Sequence, residues 1–158
     1  MASIMTTPDL DAIVSEIYVA APPARVFQAL IDRQQVLQWT ANEFCENVAW
    51  EFDARLGGRW RWIVREHNPS GRYKVDLFEH WGEVLEFDPP RLLVYTWYTN
   101  FHEPPSARTV VRWELTPAGA GTQLKMTHSG LANLPVPRAD YSQGWPGLLE
   151  AIRDFCTK

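Results

Sequence analysis

Between residues 49 and 129 the chain runs in short stretches that alternate apolar and polar side chains, each closed by a glycine- or proline-bearing turn. A period of two with tight turns demands hairpins, and hairpins demand antiparallel pairing. The stretches are residues 49–54, 59–65, 73–87, 92–98, 109–116 and 122–129. Leu56-Gly57-Gly58, Asn68-Pro69-Ser70-Gly71, Asp88-Pro89-Pro90 and the segment 117–121 mark the turns between them. The cleanest case is residues 109–116, with Thr109, Val111, Trp113 and Leu115 on one side and Arg112, Glu114 and Thr116 on the other.

Helical spacing flanks this block. Residues 13–20 read as a first strand stopped by Ala21-Pro22-Pro23. A proline in the first turn of a helix forfeits no hydrogen bond, so Pro23 opens a short helix over 24–31, and a second follows at 34–39. Near the end, Trp145, Leu148, Leu149, Ile152 and Phe155 form an apolar helical stripe. With Pro146 placed in the first turn, this helix is expected to start near Ser142. One amphipathic helix covers one sheet face, so the expected architecture is α+β. It is a helix-grip arrangement, a curved antiparallel sheet of about six to seven strands around a long C-terminal helix. Two short helices follow strand 1. Residues 1–11 are expected to be a loose tail and residues 12–158 one domain, a normal size for a single core.

A net charge of −4 with no Lys/Arg cluster disfavours a nucleic-acid partner, because phosphate binding needs a basic surface. No run approaches the roughly 20 apolar residues that span a bilayer, and residues 1–10 lack the apolar stretch of a secretory leader. Cys45 and Cys156 have no metal or redox spacing. A cytoplasmic location without membrane association is therefore expected, as a monomer or a homodimer. Aromatics stand out at 13%, with eight tryptophans, a large load of flat side chains for a small interior.

Several phrases carry a resemblance. They are residues 21–27 (Ala21-Pro22-Pro23 onward), Gly57-Gly58-Arg59-Trp60, residues 82–92 with Asp88-Pro89-Pro90, residues 122–128 and Gly144-Trp145. Together they make the chain similar to the activator-of-heat-shock-chaperone-ATPase homology family of the START-like (SRPBCC) superfamily, over about residues 13–155. The resemblance implies a hydrophobic cavity under the C-terminal helix and no universal catalytic residues. Related domains are described as lipid or polyketide binders, cyclases, stress-response proteins and chaperone activators.

By alternation, the sheet face toward the helix carries Trp60, Trp62, Tyr95, Trp97, Val111, Trp113, Met126 and His128, and the helix adds Trp145 and Leu149. Broad rings on a concave face leave gaps when packed, so these residues are the expected wall of a site for a small apolar or aromatic molecule. His128 is the titratable group among them, and Glu79 and Glu83 are the acidic partners it would need for acid–base chemistry. Two registers are open for residues 73–87. One points Tyr73, Val75, Leu77, Glu79, Trp81, Glu83 and Leu85 inward; the other points Phe78, His80, Gly82 and Val84 inward. The first is the more apolar and is placed inward. Glu79-His80 and His102-Glu103 are neighbours that point opposite ways along a strand, so no metal and no cofactor are expected. Segments 99–107 and 130–140 are expected to gate the cavity mouth. The leading expectation is binding of a small hydrophobic or aromatic ligand. The alternatives are a cyclase, isomerase or hydrolase using His128 and a cavity glutamate, and a chaperone-interacting stress protein.

Overall fold

The structure, a computed structural model, describes residues 1–67 and 71–158. The turn read at residues 68–71 falls mostly on residues 68–70, outside the described residues. Among these residues eight strands and three helices follow in the order β1 (Met5–Thr6), β2 (Ile13–Val19), α1 (Pro23–Ile31), α2 (Arg33–Trp39), β3 (Cys45–Phe52) and β4 (Arg59–Glu66). After these come β5 (Phe78–Asp88), β6 (Leu92–Thr99), β7 (Thr109–Ala118), β8 (Gly121–Ser129) and α3 (Pro135–Cys156). The strands form one curved antiparallel sheet in the order β1-β2-β8-β7-β6-β5-β4-β3. The first long strand thus closes onto the last, and α3 lies across the concave face against β2, α1 and α2.

The expected tail is tied down instead. Met5 and Thr6 pair with Val14 and Ile13, which is why the sheet has eight strands and the two short helices come after β2. Ala2 is buried, its backbone N–H donates to Glu150 Oε2 of α3 at 3.1 Å, and the Ser15 hydroxyl donates to the Ser3 carbonyl at 2.7 Å.

Helix α3 is longer than expected, at 22 residues, and Pro146 sits inside it rather than in its first turn. Pro135 takes the first-turn place, where its missing N–H costs nothing. Pro146 has no N–H to give the carbonyl one turn back, that of Ser142. Gly144 and Gly147 on either side have open space where a Cβ would stand. The segment 130–134 before the helix is anchored by Leu131 and Leu134, which pack on Ile13 in a small second core.

The principal core lies between sheet and helices, with Leu93, Val111, Leu124 and Met126 meeting Leu149 and Ile152 of α3 and Val26, Phe27 and Leu30 of α1. The period of two is strict from Thr109 to Leu115 in β7 and from Thr122 to His128 in β8, where every second residue is buried.

Candidate functional site

Strand β4 alternates arginine and tryptophan because its outer face is wet and its inner face is not, which turns Trp60 and Trp62 inward while Arg59 and Arg61 stay exposed. Its neighbour β5 must share that parity, since residues opposite each other in a ladder project to the same side. Trp60 faces Gly82 and Trp62 faces His80. His80 and Val84 are therefore the buried residues of β5, and Glu79, Trp81 and Glu83 are exposed. This overturns the register placed inward from hydrophobicity. Trp81, its strongest apolar contributor, finds a partner on the outer face, stacked on Tyr98 with 6.3 Å between ring centroids and 19° between ring planes.

The rings on the inner face gather around Trp97. Its centroid lies 5.1 Å from that of Trp60, 5.0 Å from His80, 5.3 Å from His128 and 5.6 Å from Trp145. These spacings are those of favourable aromatic pairs. Each indole N–H is used: Trp60 donates to the Thr96 carbonyl at 2.9 Å, Trp62 to Asn47 Oδ1 at 2.9 Å, Trp97 to the Tyr141 hydroxyl at 3.2 Å and Trp113 to the Tyr95 hydroxyl at 2.9 Å. Burial pushes the Tyr95 and Tyr141 phenols well up, so both are neutral.

His128 occupies the middle of a one-way chain. The Trp145 indole can only donate, and it meets His128 Nδ1 at 3.1 Å, so that nitrogen is the acceptor and the proton sits on Nε2. Nε2 then donates to Thr109 Oγ1 at 2.9 Å, and Thr109 donates in turn to the Trp97 carbonyl at 2.5 Å. His128 is wholly buried, and burial, followed by the nearby His102 and His80, holds its pKa well below the usual range. With both nitrogens committed and Glu79 and Glu83 on the other face, the acid–base group expected from the sequence is not brought together. His128 here orders the interior.

Two more buried histidines join this nest. His80 Nδ1 donates to the Trp62 carbonyl at 3.0 Å, and its ring stacks on Trp62 at 4.9 Å. His102, in the 99–107 segment, places Nε2 2.7 Å from the Tyr141 hydroxyl, and its Nδ1 is buried without a partner among the described residues. Burial lowers both to about 4. Among the described residues no group of three His, Cys, Asp or Glu side chains is placed to hold a metal ion.

The space these side chains leave has two parts. The inner part, ringed by Trp60, Tyr95, Trp97, Trp113 and Trp145, is a void of about 40 Å³, room for a few waters at roughly 10–15 Å³ each. The outer part is an open cleft of about 340 Å³ between β3–β5 and α3, bounded by Cys45, Val64, Phe78, His80, Tyr141 and Gly144. Trp62, Trp97, Trp145 and Leu148 form walls of both. Of the expected ligand wall, Trp60, Trp62, Tyr95, Trp97, Trp113 and Trp145 border one space or the other. Val111, Met126 and Leu149 lie fully buried in the core and border neither, as does His128. Tyr141 and Leu148 are not in the expected wall, and His80 stands only in the register not chosen; the parity of β5 against β4 is the signal that selects it.

A curved antiparallel sheet closed over a C-terminal helix, with an aromatic nest between them, defines a helix-grip protein of the START-like class. The family model for Activator of Hsp90 ATPase homolog 1-like protein matches residues 20–156, and the chain belongs to that family. Solved structures share the fold. One protein from Rhodobacter sphaeroides is 18% identical, with 99% of each chain covered and a TM-score of 0.79. Another from Chromobacterium violaceum is 23% identical over 94% of this chain and 99% of that one, with a TM-score of 0.77. A solution structure of a homolog-1-like family protein from Aeromonas hydrophila is 18% identical over 92% of both, with a TM-score of 0.72. No curated protein matches the chain. Among the described residues no helix is long and apolar enough to cross a membrane.

Proposed function

We propose that the protein binds a small, largely apolar or aromatic molecule in the cleft between β3–β5 and α3. The observation that carries this reading is the continuity of the open cleft with the aromatic nest through Trp62, Trp97, Trp145 and Leu148. The cleft alone falls within the roughly 300–1,000 Å³ of a typical small-molecule site. A ligand seated there stacks on rings that are already fixed by hydrogen bonds, which keeps the ordering cost of binding low. Segment 99–107 adjoins the cleft, where Phe101 meets His80 at 5.5 Å and His102 meets Tyr141 at 5.8 Å, and Phe101 shares a surface recess with Asn133 and Leu134 of segment 130–140.

Native mass spectrometry after exposure to cell extract tests the reading. A discrete non-covalent adduct is expected on the wild type and on Gly147→Ala, and is expected to vanish in Gly144→Leu. Gly144 borders the cleft with open space at its Cβ position, so the new side chain plugs the cleft without touching the core; Gly147 has open space too and borders neither part. A clean apo mass for the wild type, or an adduct unaffected by Gly144→Leu, overturns the assignment. Replacing a helical glycine is also expected to raise stability by about 0.5–1 kcal/mol in both variants, which separates a blocked site from a damaged fold.

A further inference from the structure

The hydrogen bonds of His80 leave one atom over, and that atom bears on which molecules the cleft accepts. The Trp62 carbonyl can only accept, so the 3.0 Å contact fixes the proton of the neutral imidazole on Nδ1. Nε2 is then a bare lone pair. It has no partner among the described residues, yet the one fully enclosed unpartnered side-chain nitrogen or oxygen among them is His102 Nδ1. His80 Nε2 therefore touches open space, and the open space His80 borders is the cleft. The residue as a whole is 7% exposed and is held between Trp62, Trp97 and Phe101, so the acceptor is fixed in place rather than waving in solvent. Burial keeps the ring neutral above a pKa of about 4, so near pH 7 it accepts and does not donate.

The rest of the lining sharpens the selection. Among the described residues no lysine or arginine borders the cleft, and the one carboxylate there, that of Glu66, carries the same sign as an anionic ligand. We propose, resting on the cleft being a binding site, that it selects neutral, flat, apolar molecules bearing a hydroxyl or N–H donor, which His80 Nε2 accepts. Filling that lone pair replaces a hydrogen bond to water with one inside a drier site, whereas a ligand lacking the donor leaves it desolvated and unpaired.

The test is calorimetric titration with 2-naphthol, 2-methoxynaphthalene and 2-naphthoate, which share one ring system and differ in donor and charge. Wild type is expected to bind 2-naphthol about five- to tenfold more tightly than 2-methoxynaphthalene, the size of one buried hydrogen bond, and 2-naphthoate most weakly. Two variants remove the acceptor by different routes. His80→Phe keeps a ring against Trp62, and His80→Leu keeps an apolar side chain without a ring; neither carries an acceptor, and in each that folds, the two neutral ligands are expected to bind within about twofold of each other. Equal binding of both by wild type overturns the role of His80 and leaves the cleft standing as a site. A preference that survives both variants, or a preference for 2-naphthoate, assigns selection to another group and overturns the inference. Failure of all three to bind overturns the cleft reading with it.

Discussion

At the scale of single residues, the interior is held by polar atoms inside an aromatic shell. The chain from Trp145 through His128 and Thr109 to the Trp97 carbonyl joins α3 to β8, β7 and β6 in one direction only, because its first member can only donate and its last can only accept. His128→Phe fills a similar volume but strands the Trp145 indole N–H and removes the donor to Thr109. A buried donor left unpaired costs about 1–3 kcal/mol, so urea unfolding is expected to show a loss of roughly 2–3 kcal/mol with an unchanged denaturant slope. A loss under about 0.5 kcal/mol counts against the chain as a structural link. Sequence alternation placed His128 inward beside Met126, and there it is. What alternation cannot supply is the partner of each nitrogen, and that detail turns an expected base into a structural group.

At the scale of elements, legibility followed how different the two faces of each strand are. Strands β7 and β8 carry charge on one side and apolar groups on the other, so their parity could be read directly. Strand β5 has large apolar groups on both sides, Trp81 and Leu85 outward and His80 and Val84 inward, so hydrophobicity alone chose the wrong face. Helix α3 misled through Pro146, whose rule against helix interiors is a cost that tertiary packing overcomes, not a prohibition. The better guide in β5 was Gly82 facing Trp60. A Cβ at Gly82 would lie 1.9 Å from the Thr96 carbonyl oxygen, the same oxygen that accepts the Trp60 indole N–H at 2.9 Å. Backbone cannot retreat as a side-chain tip can, so Gly82→Ala must part β5 from β6 at that point. The expected outcome is failure to fold, or a loss of several kcal/mol with disturbed tryptophan near-ultraviolet dichroism. A stable Gly82→Ala protein with an unchanged spectrum would contradict this close approach.

At the scale of the whole molecule, the aromatic nest makes stability depend on pH through three histidines at once. His80, His102 and His128 are each less than a tenth exposed, and burial lowers all three below the ordinary histidine value of 6.5, His80 and His102 to about 4. In the unfolded chain they titrate near 6.5. Above that pH all three are neutral in both states, and the stability tied to their neutrality is fully present. As pH falls from 6.5 toward 4, the unfolded chain takes up protons that the folded chain refuses, and stability is lost; below about 4, His80 and His102 protonate in both states and add no further slope. Between pH 6.5 and 5.5 each histidine contributes a loss of about 1 kcal/mol, together roughly 3 kcal/mol, in a range where carboxylates with ordinary pKa values barely titrate. Urea unfolding at pH 7.5, 6.5 and 5.5 measures it. His102→Phe is the informative variant: it removes the unpartnered Nδ1, and whatever it does to stability at pH 7.5, it should reduce the loss between pH 6.5 and 5.5 by about a third. A wild-type stability that stays level over that interval, or a variant with an undiminished loss, would mean that the nest admits protons without opening. The cleft beside His80 would then be wetter than its lining implies.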